Sequence, residues 1–287
     1  MKSEHKTGLV LEGGGLRALF SEGVFDVMLT NDIIFDGMIG VSAGASIGCN
    51  FKTRQIGRAL RYSTNFAKDP KYIGLRAWAK TGDIVSKDYG YHTIPTKLDI
   101  VDAETFRANP MDFFLVCTDA ERAKPVYKHI SDIDYYGLEW IRASSSMPIV
   151  SRPVNLDGRF LLDGGIADSI PLKYFQSLGY GKNIVILTQP KGYKKKLTKL
   201  IPLFNIFCRK YPMIIEAMKR RHEMYNSQLE YIAAEEKKGN ILIICPDSIL
   251  PIGRLEMKPK KMKKVYNIGH ESGIKRLKEI KDFLSHS

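Results

Sequence analysis

Thr7-Gly8-Leu9-Val10-Leu11-Glu12-Gly13-Gly14-Gly15 and Met38-Ile39-Gly40-Val41-Ser42-Ala43-Gly44 bracket the part of the sequence that decides the fold. Each is an apolar run too short for a helix that stops on glycine, which reads as a buried strand entering a tight turn. Between them Leu16, Leu19, Phe20, Val24, Val27 and Met28 recur at spacings of three and four, the signature of an amphipathic helix. Ala43 to Lys52 has helical composition. Strand, helix, strand, helix within fifty residues predicts parallel strands in an α/β sheet.

Outward from this core, Phe113 to Cys117 reads as a further central strand, with Pro125 to Ile130 pairing beside it. Asp157-Gly158 separates two strand-like runs, Arg152–Leu156 and Arg159–Leu162, and predicts a hairpin because both turn residues need positive φ. Asn183–Leu187 and Asn240–Cys245 are buried-strand candidates, and residues 211–238 and 260–284 read as long helices. The lysine-rich run Gly192 to Leu200 is expected to be a surface excursion. No linker composition appears before residue 190, so residues 1–190 are taken as one domain. Residues 191–287 are taken as a basic α/β extension packed on it or continuing it.

The 287 residues are 44% hydrophobic and 10% aromatic, enough for one large core and against disorder. Cys49, Cys117, Cys208 and Cys245 are scattered, with no C-x-x-C pair and no histidine at ligand spacing, so a zinc site or a redox pair has little support, and no cofactor is assigned. They fit small buried hydrophobes in a reducing compartment. No signal-peptide core and no run of about 20 apolar residues is present. The expectation is a cytoplasmic protein, with peripheral contact at the inner membrane face left open. Charge is uneven: residues 1–190 hold 22 basic and 21 acidic residues, residues 191–287 hold 22 and 10. The excess is either a solvated basic surface or a face for anionic membrane. Aromatics do not interleave it, so no nucleic acid is expected.

Gly40-Val41-Ser42-Ala43-Gly44 matches G-x-S-x-G, in which a serine at a sharp strand-to-helix turn is held strained with its hydroxyl exposed. The following helix directs its N-terminal dipole at that oxygen. Gly13, Gly14 and Gly15 would present bare amides able to hold an oxyanion, with Arg17 in the first turn behind them. Asp163, at the end of the second hairpin strand and followed by Gly164 and Gly165, could accept a serine proton. Two other readings remain open. The glycine loop could hold a nucleotide phosphate with Ser42 structural, although Ala18 stands where a dinucleotide motif ends on glycine. A Ser-Asp-His triad could use His222, His270 or His286, although only one strand precedes Ser42. Each of His5, His92, His129, His222, His270 and His286 reads as more structural than catalytic.

Together the three motifs resemble those of the patatin-like phospholipases, over roughly residues 7 to 190. Ala143-Ser144-Ser145-Ser146-Met147-Pro148 and Pro171 are similar to supporting segments of that family. Ala18 and Ser169 depart from its common glycine and asparagine. The resemblance implies a three-layer α/β/α fold with a mainly parallel sheet. It implies hydrolysis of lipid or small ester substrates by a Ser42–Asp163 dyad over a Gly13–Gly15 oxyanion loop, without metal.

Overall fold

The computed structural model describes residues 6–285; His5 and His286 lie outside them. Five parallel strands carry the fold: β1 (Thr7–Leu11), β2 (Gly37–Val41), β3 (Asp112–Asp119), and, later in the chain, β7 (Lys182–Ile186) and β8 (Ile241–Ile244). β4 (Pro125–His129), β5 (Val154–Leu156) and β6 (Arg159–Asp163) are antiparallel additions. The order is β5-β6-β3-β2-β1-β7-β8, with β4 also paired to β3. Leu9 stands beside Met38 and Ile184, and Met38 beside Phe113, so the register runs unbroken across the centre.

Alternation along these strands creates the two faces. Leu9, Leu11, Met38, Phe113, Leu115 and Ile184 point into one core. It is covered by α1 (Leu19–Thr30), α2 (Ala43–Lys52), α6 (Tyr135–Ser144) and α10 (Pro259–Ser285), with α3 (Arg58–Asn65) and α5 (Ala103–Ala108) at its rim. Val10, Ile39, Val41, Val116 and Val185 point into the other, covered by α7 (Leu172–Ser177) and α9 (Pro212–Lys237). The result is the expected three-layer α/β/α fold. α4 (Leu75–Thr81), a π-helical stretch Lys87–Leu98 and α8 (Ile201–Phe207) lie away from the sheet. Among the described residues no helix is long and apolar enough to cross a membrane.

The expected elements appear with local differences. The helix expected from Leu16 begins instead as a 3-10 turn, Gly15–Ala18. Gly15 is left-handed, and Leu16 N–H donates to the Arg254 carbonyl, outside any helical ladder. The strand expected from Arg152 starts at Val154, because Pro153 has no amide and Arg152 N–H is given to Asp83 at 2.8 Å. The hairpin turn forms as expected, with Asp157 at φ 51° and Gly158 at φ 72°. All four cysteines are free; Cys49, Cys117 and Cys208 are buried, and Cys245 is half-buried. Beyond residue 190 the chain adds β8 to the sheet edge through β7 and lays α10 along α1.

Candidate active site

Ser42 follows β2 and caps α2 with φ 56° and ψ −127°, a conformation that costs an L-residue about 1–3 kcal/mol. Its surroundings enforce it. Ser42 N–H donates to Ser144 Oγ at 3.0 Å, and Ser144 hydroxyl donates in turn to the Val116 carbonyl at 2.7 Å. The Ser42 carbonyl accepts from Ala45 and Ser46 N–H at the start of α2. A side chain at Gly40 would stand 2.6 Å from Ala45 N, and one at Gly44 would stand 2.6 Å from the Leu11 carbonyl. Both glycines are therefore demanded by backbone crowding around the turn.

The glycine loop leaves β1 directly against this turn. A Cβ on Gly13 would lie 2.7 Å from the Val41 carbonyl and 2.8 Å from Ser42 Cβ. Thr188 hydroxyl donates to the Gly13 carbonyl at 3.0 Å and fixes the loop's other side. Among the described residues, the amides of Gly13, Gly14 and Gly15 have no protein acceptor. Glu12, just before them, is buried and spends its carboxylate on Thr188 N–H at 2.7 Å and Tyr225 O–H at 2.8 Å. Arg17 folds back toward Gly14, and its buried Nε has no partner. Burial and nearby Arg254 push the Arg17 guanidinium pKa down, against the pull of Glu12.

Asp163 ends β6, paired to Cys117 of β3, with 4% of its surface exposed. Its Oδ1 accepts from Gly165 N–H at 2.8 Å. Gly164 is forced by the Val116 carbonyl, into which a side chain would run. Burial raises the Asp163 pKa, partly offset by a hydrogen bond from the Ser42 side chain and by the charges of Arg221 and Arg254. Ser42 and Asp163, 121 residues apart in sequence, thus face each other at the end of one cavity. A weakly basic carboxylate held in a dry site is a stronger proton acceptor than one in water.

The cavity encloses about 630 Å³. Away from Ser42 it is apolar, walled by Tyr62, Tyr72, Ile94, Leu138, Met147 and Phe204. Near Ser42 it is cationic, with Lys195, Arg221 and Arg254 joining Arg17. Lys195 belongs to the run expected on the surface. Instead its backbone is clipped to Asn226 of α9 by two hydrogen bonds and its ammonium sits 3.9 Å from the Tyr225 ring centre. Among the described residues no histidine bonds Ser42 or Asp163. His92 pairs with Glu139, His129 with Asp112, and His270 stacks on Tyr266. His222 lines the cavity with its Nδ1 unpartnered.

Sequence reasoning singled out Ser42, Asp163, the three glycines, Arg17, Gly40, Gly44, Gly164 and Gly165, and the fold brings all of them together. Ser144, the anchor of the turn, lies in the small-residue segment Ala143–Pro148 but carries no sequence signal of that role. Arg221 was not singled out either, although it leaves a signal. Ile214, Met218, Arg221, Tyr225 and Ile232 fall at spacings of four, three, four and seven, placing an arginine in a buried helical stripe.

A family model described as patatin-like phospholipase matches residues 9–175, and one described as a domain of unknown function (DUF6363) matches residues 211–285. The uncharacterized protein YjjU of Escherichia coli (strain K12) is 30% identical over 191 residues, covering 64% of this chain and 52% of that protein. The lysophospholipase nte1 of Aspergillus oryzae is 23% identical over 292 residues, covering 96% of this chain and 18% of that protein. The chain therefore spans about half the length of the first and under a fifth of the second. VipD from Legionella pneumophila superposes with a TM-score of 0.48 at 12% identity, covering 96% of this chain and 67% of that one.

Proposed function

The chain belongs to the patatin-like phospholipase family, and on that premise we propose that it hydrolyses lipid acyl esters through Ser42 and Asp163. The observation that carries this reading is the strained Ser42 opposed to Asp163 beneath amides for which the described residues offer no acceptor. Ser42 Oγ attacks the ester carbonyl carbon while its proton passes to Asp163. The carbonyl oxygen becomes an oxyanion held by the amides of Gly13–Gly15, each such donor contributing about 3–4 kcal/mol to barrier lowering. Arg17 supports that loop. Collapse expels the alcohol, which takes the proton from Asp163. Water, deprotonated by the same carboxylate, then attacks the acyl carbon, and Ser42 Oγ leaves with the proton that Asp163 returns to it. The apolar arm of the cavity suits an acyl chain. No metal or cofactor takes part.

Residues 1–190 supply the dyad and oxyanion loop; residues 191–287 complete the same body and wall the cavity at Lys195, Arg221 and Arg254. The substrate would be drawn from an anionic bilayer at the cytoplasmic membrane face, where the exposed apolar side of α8 meets flanking lysines. Labelling with a fluorophosphonate, followed by peptide identification, tests the nucleophile. Modification is expected at Ser42 only, and Ser42→Ala is expected to lose at least about a thousandfold in p-nitrophenyl butyrate turnover. Equal turnover by wild type and Ser42→Ala would remove the proposal.

A further inference from the structure

We infer that Lys195, Arg221 and Arg254 form a subsite for a phosphate group on the alcohol side of the scissile ester, selecting net-anionic head groups over zwitterionic or neutral ones. The inference rests on the hydrolase reading and names what that reading leaves open. All three residues come from the basic last third of the chain, outside the segment matched by the patatin-like model. All three line the Ser42 end of the cavity.

Their surroundings leave their charge unbalanced. None of the three makes an ion pair among the described residues. Arg221 gives Nε to the Gly165 carbonyl, and its Nη2 lies 3.1 Å from where a Gly165 side chain would stand. The same point is 3.1 Å from Asp163 Oδ1, so the guanidinium stands across Gly165 from the carboxylate, outside ion-pair distance but close enough to act on its charge. Arg254 holds the glycine loop through its backbone and faces the cavity with its side chain. Lys195 is held over Tyr225, whose hydroxyl is committed to Glu12.

The only carboxylates lining the cavity among the described residues are Glu12 and Asp163. Glu12 is saturated by Thr188 and Tyr225, and Asp163 faces Ser42. Burial first, and then repulsion from Arg221, Arg254 and Arg17, hold the Lys195 ammonium down to about 7, against the pull of Glu12. An incoming phosphate relieves that repulsion and supplies acceptors for the fork of Arg221 and the ammonium of Lys195. A choline or ethanolamine cation on the same phosphate would enter among Lys195, Lys196 and Arg254 with no acidic side chain to receive it.

The test compares kcat/KM for three esters of one acyl chain, lysophosphatidic acid, lysophosphatidylcholine and monoacylglycerol, in neutral detergent micelles. The wild type is expected to favour lysophosphatidic acid by about tenfold or more over each of the others. Lys195→Gln with Arg254→Gln is expected to collapse that ratio, and Lys195→Arg to retain it. Equal kcat/KM for all three esters, or a ratio the double variant leaves unmoved, would overturn the subsite. Turnover without preference condemns the subsite alone, whereas no turnover of any ester, p-nitrophenyl butyrate included, condemns the hydrolase reading beneath it. Saturable binding of inorganic phosphate without ester preference would assign the cations to free phosphate and likewise overturn the head-group assignment.

Discussion

Ser42 shows what a single position costs the fold. Its φ of 56° with ψ −127° is accessible to glycine but strained for serine, and it persists because Ser144, Ala45 and Ser46 fix the atoms on both sides. Ser42→Gly should therefore relieve strain, offset in part by the greater freedom of glycine in the unfolded chain. A net gain of about 1 kcal/mol in urea unfolding is expected, together with loss of ester hydrolysis. Ser42→Ala should lose activity without that gain, since alanine meets the same backbone clash. A Ser42→Gly protein less stable than Ser42→Ala would show that the turn is not strained. The residue was legible because G-x-S-x-G states the steric requirement in its own glycines. Ser144 was less legible, since its role depends on Val116 and Ser42, 28 and 102 residues away.

At the scale of elements, α1 links the site to the rest of the molecule. It follows the glycine loop, and it crosses α10 so closely that a side chain on Gly269 would run into the Phe20 carbonyl and one on Gly23 would stand 2.6 Å from His270 N. Backbone cannot yield there as a flexible side chain could. Gly269→Ala is expected to destabilise by about 2 kcal/mol, readable as a lower urea midpoint with unchanged slope. A midpoint equal to wild type would mean the helices can part without cost. The same helix buries two acids. Glu22 accepts from Ala59 and Leu60 N–H at the start of α3, and Asp26 accepts from Gly57 N–H at 2.8 Å and Tyr266 O–H at 2.9 Å. Burial raises Asp26 to about 6, against its hydrogen bonds, and with the Asp26 charge raises Glu22 as well. A carboxyl raised in the folded state favours folding below its ordinary value of 3.8, an advantage lost as pH climbs through about 6. Asp26→Asn removes this titration, so its stability relative to wild type should climb between pH 4 and pH 7, by at most about 3 kcal/mol. A difference that stays flat over that range would reject the assignment. The strands and the Asp157-Gly158 hairpin could be read from the sequence because alternation and turn chemistry are local. α3, α4, α6 and the π-helical stretch could not. Their burial is set by partners such as Glu22 and Asp99 far along the chain, and short helices carry little periodicity of their own.

At the scale of the whole molecule, charge and apolar surface are distributed in a way that two-thirds of the chain does not hint at. The excess positive charge lies in residues 191–287. Part of it turns inward at Lys195 and Arg221, which composition alone could not distinguish from a solvated face. Another part flanks α8 in the sequence, where Phe204 is buried in the cavity wall while Ile206 and Phe207 are 69% and 51% exposed. Lys194, Lys196, Lys199, Arg209 and Lys210 precede and follow it in the chain, all exposed and none in an ion pair among the described residues. An apolar helix face rimmed by lysines beside a cavity mouth fits shallow insertion into an anionic surface, each basic residue adding about 1 kcal/mol at low salt. Binding to vesicles containing phosphatidylglycerol should therefore weaken steeply between 50 and 300 mM salt, since screening reaches the lysines but not the inserted side chains. Ile206→Ser with Phe207→Ser should reduce binding at every salt concentration while leaving p-nitrophenyl butyrate turnover unaltered, because neither side chain lines the cavity. Equal affinity for purely phosphatidylcholine vesicles, or binding indifferent to both substitutions, would mean that the basic third serves the cavity alone.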